Sequence, residues 1–108
     1  MPWLLRDGEV LASLEVAGSL TERTRGLLGR DSIDGAMMIR TRSVHTFGMR
    51  FAIDVAFCDK SLVVVGMTTL KPNRVGLPRR HGRSVIEAGA GAFERWNLRP
   101  GDQLEMKG

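Results

Sequence analysis

His45 is the first residue of this chain whose type and neighbours invite a chemical reading. It stands among Ser43, Thr46 and Phe47. An imidazole beside a small hydroxyl can serve as the base that activates a nucleophile. No third group that would orient the ring is identifiable from spacing, and the plainer reading makes His45 a structural or rim residue. Asp54 lies between Ala52 and Ala56 in an apolar stretch. If buried, its carboxylate needs partners, and Arg25, Arg50 or backbone donors would serve. It is then either a satisfied structural aspartate or an anchor or acid/base group in a pocket. Cys58 is the single cysteine. A reactive thiolate needs a cationic or helix-terminal neighbour, none is evident, and a buried, inert thiol is expected. Met37, Met38, Met49 and Met67, taken with His45 and Cys58, would make a soft-metal set. Methionine on strand faces is ordinary core filler, so neither a metal nor a cofactor is expected.

The charge distribution points to a second kind of chemistry. The formal net charge is +4. From Gly35 to Ile86 nine basic residues face only Asp54 and Asp59, giving +7, while the rest of the chain, with seven basic and ten acidic residues, gives −3. Thirteen of the sixteen basic residues are arginine. That preference reflects either coding bias or selection for an anion, since the guanidinium fork suits phosphate and carboxylate. Lys71 to Arg83 reads as a loop that carries Lys71, Arg74, Arg79, Arg80, His81 and Arg83 with no acid. It is either a solvated basic loop or an anion surface attractive to nucleic acid, a phosphorylated metabolite or an acidic protein. It contains no aromatic residue, which argues against stacking of single-stranded bases. Gly89-Ala90-Gly91, placed before a short helix, either forms a tight turn or presents backbone N–H groups to an anion.

Phosphate-binding loops, a dinucleotide fingerprint, a nucleophile elbow, zinc-binding histidine pairs and CxxC spacing are all missing from the 108 residues. The length suits one domain spanning 1–108. With 43% hydrophobic and 26% charged residues, the composition is that of an ordinary folded protein. Apolar runs fall far short of the roughly 20 residues that span a bilayer. No signal segment is visible at Met1 to Gly8. The expectation is therefore a cytoplasmic protein without a membrane partner.

These residues must be positioned by short strands. Asp7-Gly8 between Trp3–Leu5 and Val10–Val16 is a hairpin signal. Ser19-Leu20-Thr21-Glu22 has capping-box spacing, and Leu20, Thr24, Leu27 and Leu28 continue at helical spacing up to Gly29. Ala36 to Ile39 reads as a strand. Met49, Phe51, Ile53, Val55 and Phe57 place one apolar face on a strand whose other face carries Arg50 and Asp54, about 13 Å apart along it. Leu62 to Leu70 should pair with that strand as a hairpin. Ser84 to Ala88 and Gln103 to Met106 read as further strands, and Ala92 to Leu98 as one or two helical turns. The result is a mainly β fold, a small sandwich or partly closed barrel with one or two short helices.

Several of these segments, in order, resemble the DUF192 family of small bacterial and archaeal domains. They are Thr24 to Arg30, Gly35 to Ile39, Val44 to Phe57, Val85 to Gly91 and Leu98 to Asp102. The similarity runs from about Val16 to Met106. This chain reads Thr46-Phe47-Gly48-Met49-Arg50 where the common family pattern has a Phe-Trp-Met-Lys-Asn-like segment, and Ala52 stands where a proline is frequent. The resemblance implies a jelly-roll-like β fold, supplies no function, and directs attention to Val44–Asp54, Arg25 and the glycine-rich turn. The leading expectation is an accessory binding domain for a small anionic ligand or an acidic partner. Arg25, His45, Phe47, Met49, Arg50 and Asp54 would form a ligand site, and Arg74, Arg79, Arg80 and Arg83 an anion surface. The alternatives are a small enzyme using His45 and Asp54, and a nucleic-acid-binding protein.

Overall fold

Asp7 and Gly8 both take positive φ, 51° and 79°, the left-handed pair that a tight hairpin turn requires. They join β1 (Trp3–Arg6) to β2 (Glu9–Ala17). The computed structural model describes residues 2–108, with the side chains of Leu20 and Arg25 outside that description. Ser19 then caps α1 (Leu20–Leu27): its hydroxyl accepts the Glu22 N–H at 3.1 Å. The Glu22 carboxylate reaches back to the Gly18 N–H at 2.6 Å, one residue earlier than the usual capping box. The helix stops where expected, at Leu28 followed by Gly29 with φ +79°.

α1 carries the chain from β2 to β3 (Ala36–Ile39), which pairs parallel to β2. The remaining main-sheet pairs are antiparallel. β5 (Ile53–Cys58) lies between β6 (Val64–Leu70) and β8 (Ser84–Gly89), and β9 (Leu104–Lys107) returns beside β1 with Trp3 opposite Lys107. The seven strands run in the order β6-β5-β8-β3-β2-β1-β9, and β4 (Val44–His45) pairs separately with β7 (Val75–Gly76). α2 (Ala92–Arg95) is a single turn after β8. The sheet curls until its two edges touch at one corner. There Val64 N–H donates to Asp102 O, Leu104 N–H donates to Leu62 O, each at 2.9 Å, and Val63 bridges Gln103. The ladder does not continue, so the sheet is a curled, open one rather than a closed barrel.

Two expectations need correction. The strand predicted from Met49 begins only at Ile53, because residues 46–51 form turns and bends, with Met49 N–H donating to Thr46 O. Arg50 is therefore off the strand and does not share a face with Asp54. All six residues of β5 are buried, Asp54 and Cys58 included. Ile53, Val55 and Phe57 pack with Leu27 of α1, with Val44, and with Val85 and Leu70. Ala56 and Cys58 pack on the other side with Leu14, Ile86, Phe93 and Leu104. The helix α1 and the small sheet cover one face, while the curl and α2 cover the other. The loop expected across Lys71 to Arg83 contains β7, whose two residues are too few to leave a periodic pattern.

Candidate functional site

Asp54 sits on the inward face of β5, only 5% exposed. One carboxylate oxygen accepts the Thr69 hydroxyl at 2.7 Å. The other accepts the N–H groups of Gly91 and Phe93 at 3.0 and 3.1 Å. The backbone donors that the glycine-rich turn offers to an anion are thus taken by an aspartate of the same chain. Gly91, at φ +97°, permits the turn that aims them. An open groove of about 430 Å³ runs past this cluster, lined by Met67, Thr69, Phe93 and Asn97. Asp54 is in its wall, with one oxygen held by Thr69 of β6 and the other by the start of α2.

His45, by contrast, lies on β4, over the face of β5 opposite Asp54. Its ring stacks on Phe47 with centroids 5.0 Å apart and an interplanar angle of 24°, and its Nδ1 accepts the Phe47 N–H at 3.3 Å. Thr46, between them, is fully buried and is the anchor of the segment. Its N–H donates to Arg74 O, its hydroxyl donates to Lys71 O at 2.6 Å, and the Arg74 N–H donates back to the same hydroxyl. Gly48 N–H donates to the Asn73 side-chain oxygen at 2.9 Å. Segments 44–49 and 71–76 therefore form one pinned unit. On or next to it, Phe47 is 52% exposed, Val75, opposite His45, 56% and Leu77 77%. The half-exposed Leu28 approaches this unit at Gly48, where a Cβ would lie 3.1 Å from its methyl group.

The other candidates are distributed around this unit. Met49 is buried in the core. Arg50 is exposed and faces Asp31 at 3.6 Å. Arg74 is exposed at the start of β7, and Arg79 stacks over Phe57 at 5.2 Å. The Arg42 guanidinium donates to Arg80 O. The Arg25 side chain lies outside the described residues. His45 and Asp54 thus stand on opposite sides of the sheet. Phe47 and Arg74 belong to the pinned β4–β7 unit, Arg79 lies over Phe57, and Arg83 immediately precedes β8.

Sequence reasoning missed a buried ion pair. Arg23 of α1 donates through its Nε to Glu87 of β8 at 2.9 and 3.2 Å, and its terminal nitrogen also bonds the carboxylate. Both side chains are at most 1% exposed. The sequence signal was a carboxylate inside the apolar run Val85-Ile86-Glu87-Ala88, and its partner lies 64 residues away. Removing one member of such a pair costs about 3–5 kcal/mol, so its plain role is to lock α1 to the sheet. Cys58 is fully buried, and burial, helped by the charge of Asp59, pushes its thiol up to about 12. It stays protonated at neutral pH and is no nucleophile there. Among the described residues no group of three His, Cys, Asp or Glu side chains is placed to hold a metal. Nor is any described helix long and apolar enough to cross a membrane.

Comparison with known proteins now decides the family. The DUF192 model, described as "Uncharacterized ACR", matches residues 4–106. The chain belongs to this family. Similar proteins include the UPF0127 protein of Pyrococcus furiosus, 33% identical over 103 residues, with 90% of this chain and 89% of that protein covered. The UPF0127 protein of Pyrococcus horikoshii is 34% identical over 105 residues, covering 92% and 88%. Two solved structures share the fold. One, from Sinorhizobium meliloti and named as a candidate transcription regulator, has a TM-score of 0.78 at 21% identity and covers 97% of this chain and 91% of that one. The other, a protein of unknown function from Novosphingobium aromaticivorans, has a TM-score of 0.75 at 17% identity, covering 96% and 82%. The DUF192 family thus carries no assigned activity to transfer.

Proposed function

We propose that this chain is a binding module that docks an acidic protein segment on its β4–β7 face. The observation that carries the reading is the exposure of Phe47, Val75 and Leu77 on or next to the pinned β4–β7 unit, in segments rich in arginine. Residues 41–49 and 71–82 together contain five basic residues, Arg42, Lys71, Arg74, Arg79 and Arg80, and no acidic one. An apolar anchor surrounded by like charges suits a partner with the opposite pattern, an aromatic or leucine side chain flanked by Glu and Asp. The rigidity of the Thr46 unit supports this, because a preorganised surface loses little entropy on binding.

The probe is a fluorescent peptide with one Phe or Leu amid Glu and Asp residues, titrated against the wild type and Phe47→Ser. Phe47 is half exposed, so the variant should keep its unfolding midpoint within about 0.5 kcal/mol. The expected result is binding that weakens at least tenfold in Phe47→Ser. Equal affinity of the two proteins overturns the reading. So does binding confined to a short DNA duplex with a steep salt dependence, the behaviour that a nucleic-acid binder, as the name of the Sinorhizobium structure suggests, would give.

A further inference from the structure

Away from Phe47, a second groove of about 450 Å³ opens where β3, the β5–β6 turn and the start of β8 meet β9. Its charged lining is Arg40, Lys60 and Arg83 with Asp59. One Asp59 oxygen is already engaged, accepting the N–H groups of Ser61 and Val63 at 2.8 and 3.0 Å to close the turn. None of the three cations stands within ion-pair distance of a carboxylate among the described residues. The groove therefore carries a net charge of +2. Its other lining is apolar: Met38, Leu62 and Met106. A smaller cleft of about 270 Å³ adjoins it, sharing Asp59, Lys60 and Arg83 and adding His81.

Ser84 also lines the groove, and it is an anomaly. The residue is 7% exposed. Its hydroxyl is the one buried side-chain polar atom among the described residues that lacks a hydrogen-bond partner. Buried polar groups are almost always paired, and an exception calls for an explanation. The Ser84 hydroxyl is closed off behind a wall shared with Arg40, Lys60 and Arg83, and it would gain its missing acceptor from an anionic oxygen that reached it from the groove. We infer that this groove is a binding site for a small organic anion with an apolar body. The carboxylate or phosphate head accepts from Ser84 and the three cations. The body lies on Met38, Leu62 and Met106, where unbranched thioether side chains adapt to varied shapes. The volume is within the range of ordinary small-ligand sites.

Octanoate, hexyl phosphate, inorganic phosphate and octanol are the probes, followed by calorimetry and by the amide NMR shifts of residues 82–85. The proteins are the wild type, Ser84→Ala and the exposed-site variant Arg83→Gln. Octanoate or hexyl phosphate should bind and move those amides, and each substitution should weaken that binding at least fivefold. Ser84→Ala should unfold at the same temperature as the wild type or higher, because it deletes an unpaired polar group. The two head groups are distinguished by which of the two amphiphiles binds more tightly. Four results overturn the site: no binding by either amphiphile, equal binding of inorganic phosphate, equal binding of octanol, or unchanged affinity in both variants. Phe47→Ser should bind these probes as the wild type does, which separates this groove from the docking face.

Discussion

Cys58 shows how a single residue's chemistry is set by what surrounds it. Its thiol, ordinarily near 9.0, is raised to about 12 first by burial and then by the charge of Asp59. The unfolded chain releases this proton near pH 9 while the folded chain holds it. The stabilisation that comes from keeping the thiol neutral is thus complete below pH 9 and is lost as the pH rises toward 12. The chain has no tyrosine, so few other side chains titrate in that window. Urea unfolding at pH 8, 9, 10 and 10.5 should show the wild type losing stability faster than Cys58→Ser. Parallel curves for the two proteins would remove Cys58 as the cause. The thiol's inertness was legible in the sequence, because no activating neighbour was in sight. The roles of Asp54 and Ser84 were not. Both depend on which backbone N–H groups and which strands arrive beside them from far along the chain.

At the scale of elements, α2 is a helix of four residues, too short to stand on propensity alone. Asp54 substitutes for the missing length, binding Gly91 and Phe93 N–H groups from a neighbouring strand. Asp54→Asn replaces a charged acceptor by a neutral one and should cost about 2 kcal/mol. Hydrogen exchange should speed up selectively at Gly91 and Phe93. Unaltered exchange at those two amides would show that α2 holds without the aspartate. The hairpin at Asp7-Gly8, the Ser19 cap and the strands at 36–39 and 84–89 could all be read from local signals, since turn chemistry and capping act within a few residues. The start of β5 could not. Met49 keeps the strand's alternation and is buried, yet it reaches the core from a turn, so side-chain pattern alone cannot distinguish the two backbones. β4 and β7 escaped for a different reason. Two-residue strands held by Thr46 bonds to Lys71 and Arg74 have no periodicity to read.

Over the whole molecule the positive charge of the middle of the chain becomes spatial. The β4–β7 face and the Arg40–Lys60–Arg83 groove draw on the same acid-poor stretch of sequence, but they differ in shape. One exposes Phe47, stacked on His45, and the other is a groove with a buried hydroxyl in its wall. Charge asymmetry was visible from composition, and its division into two surfaces follows only from the topology. The same topology places Trp3 opposite Lys107 on adjacent antiparallel strands, so the ladder's outer end is also where the chain's two ends leave the fold. A force applied between residues 3 and 107 meets the β1–β9 hydrogen bonds one after another, like a zipper. Handles at 6 and 107, at opposite ends of the same ladder, load those bonds together in shear. In an optical trap the first arrangement should open at the lower force, and equal forces would mean that something other than this ladder resists. The lower force would make the sheet mechanically weak between residues 3 and 107 and strong in shear along the same ladder.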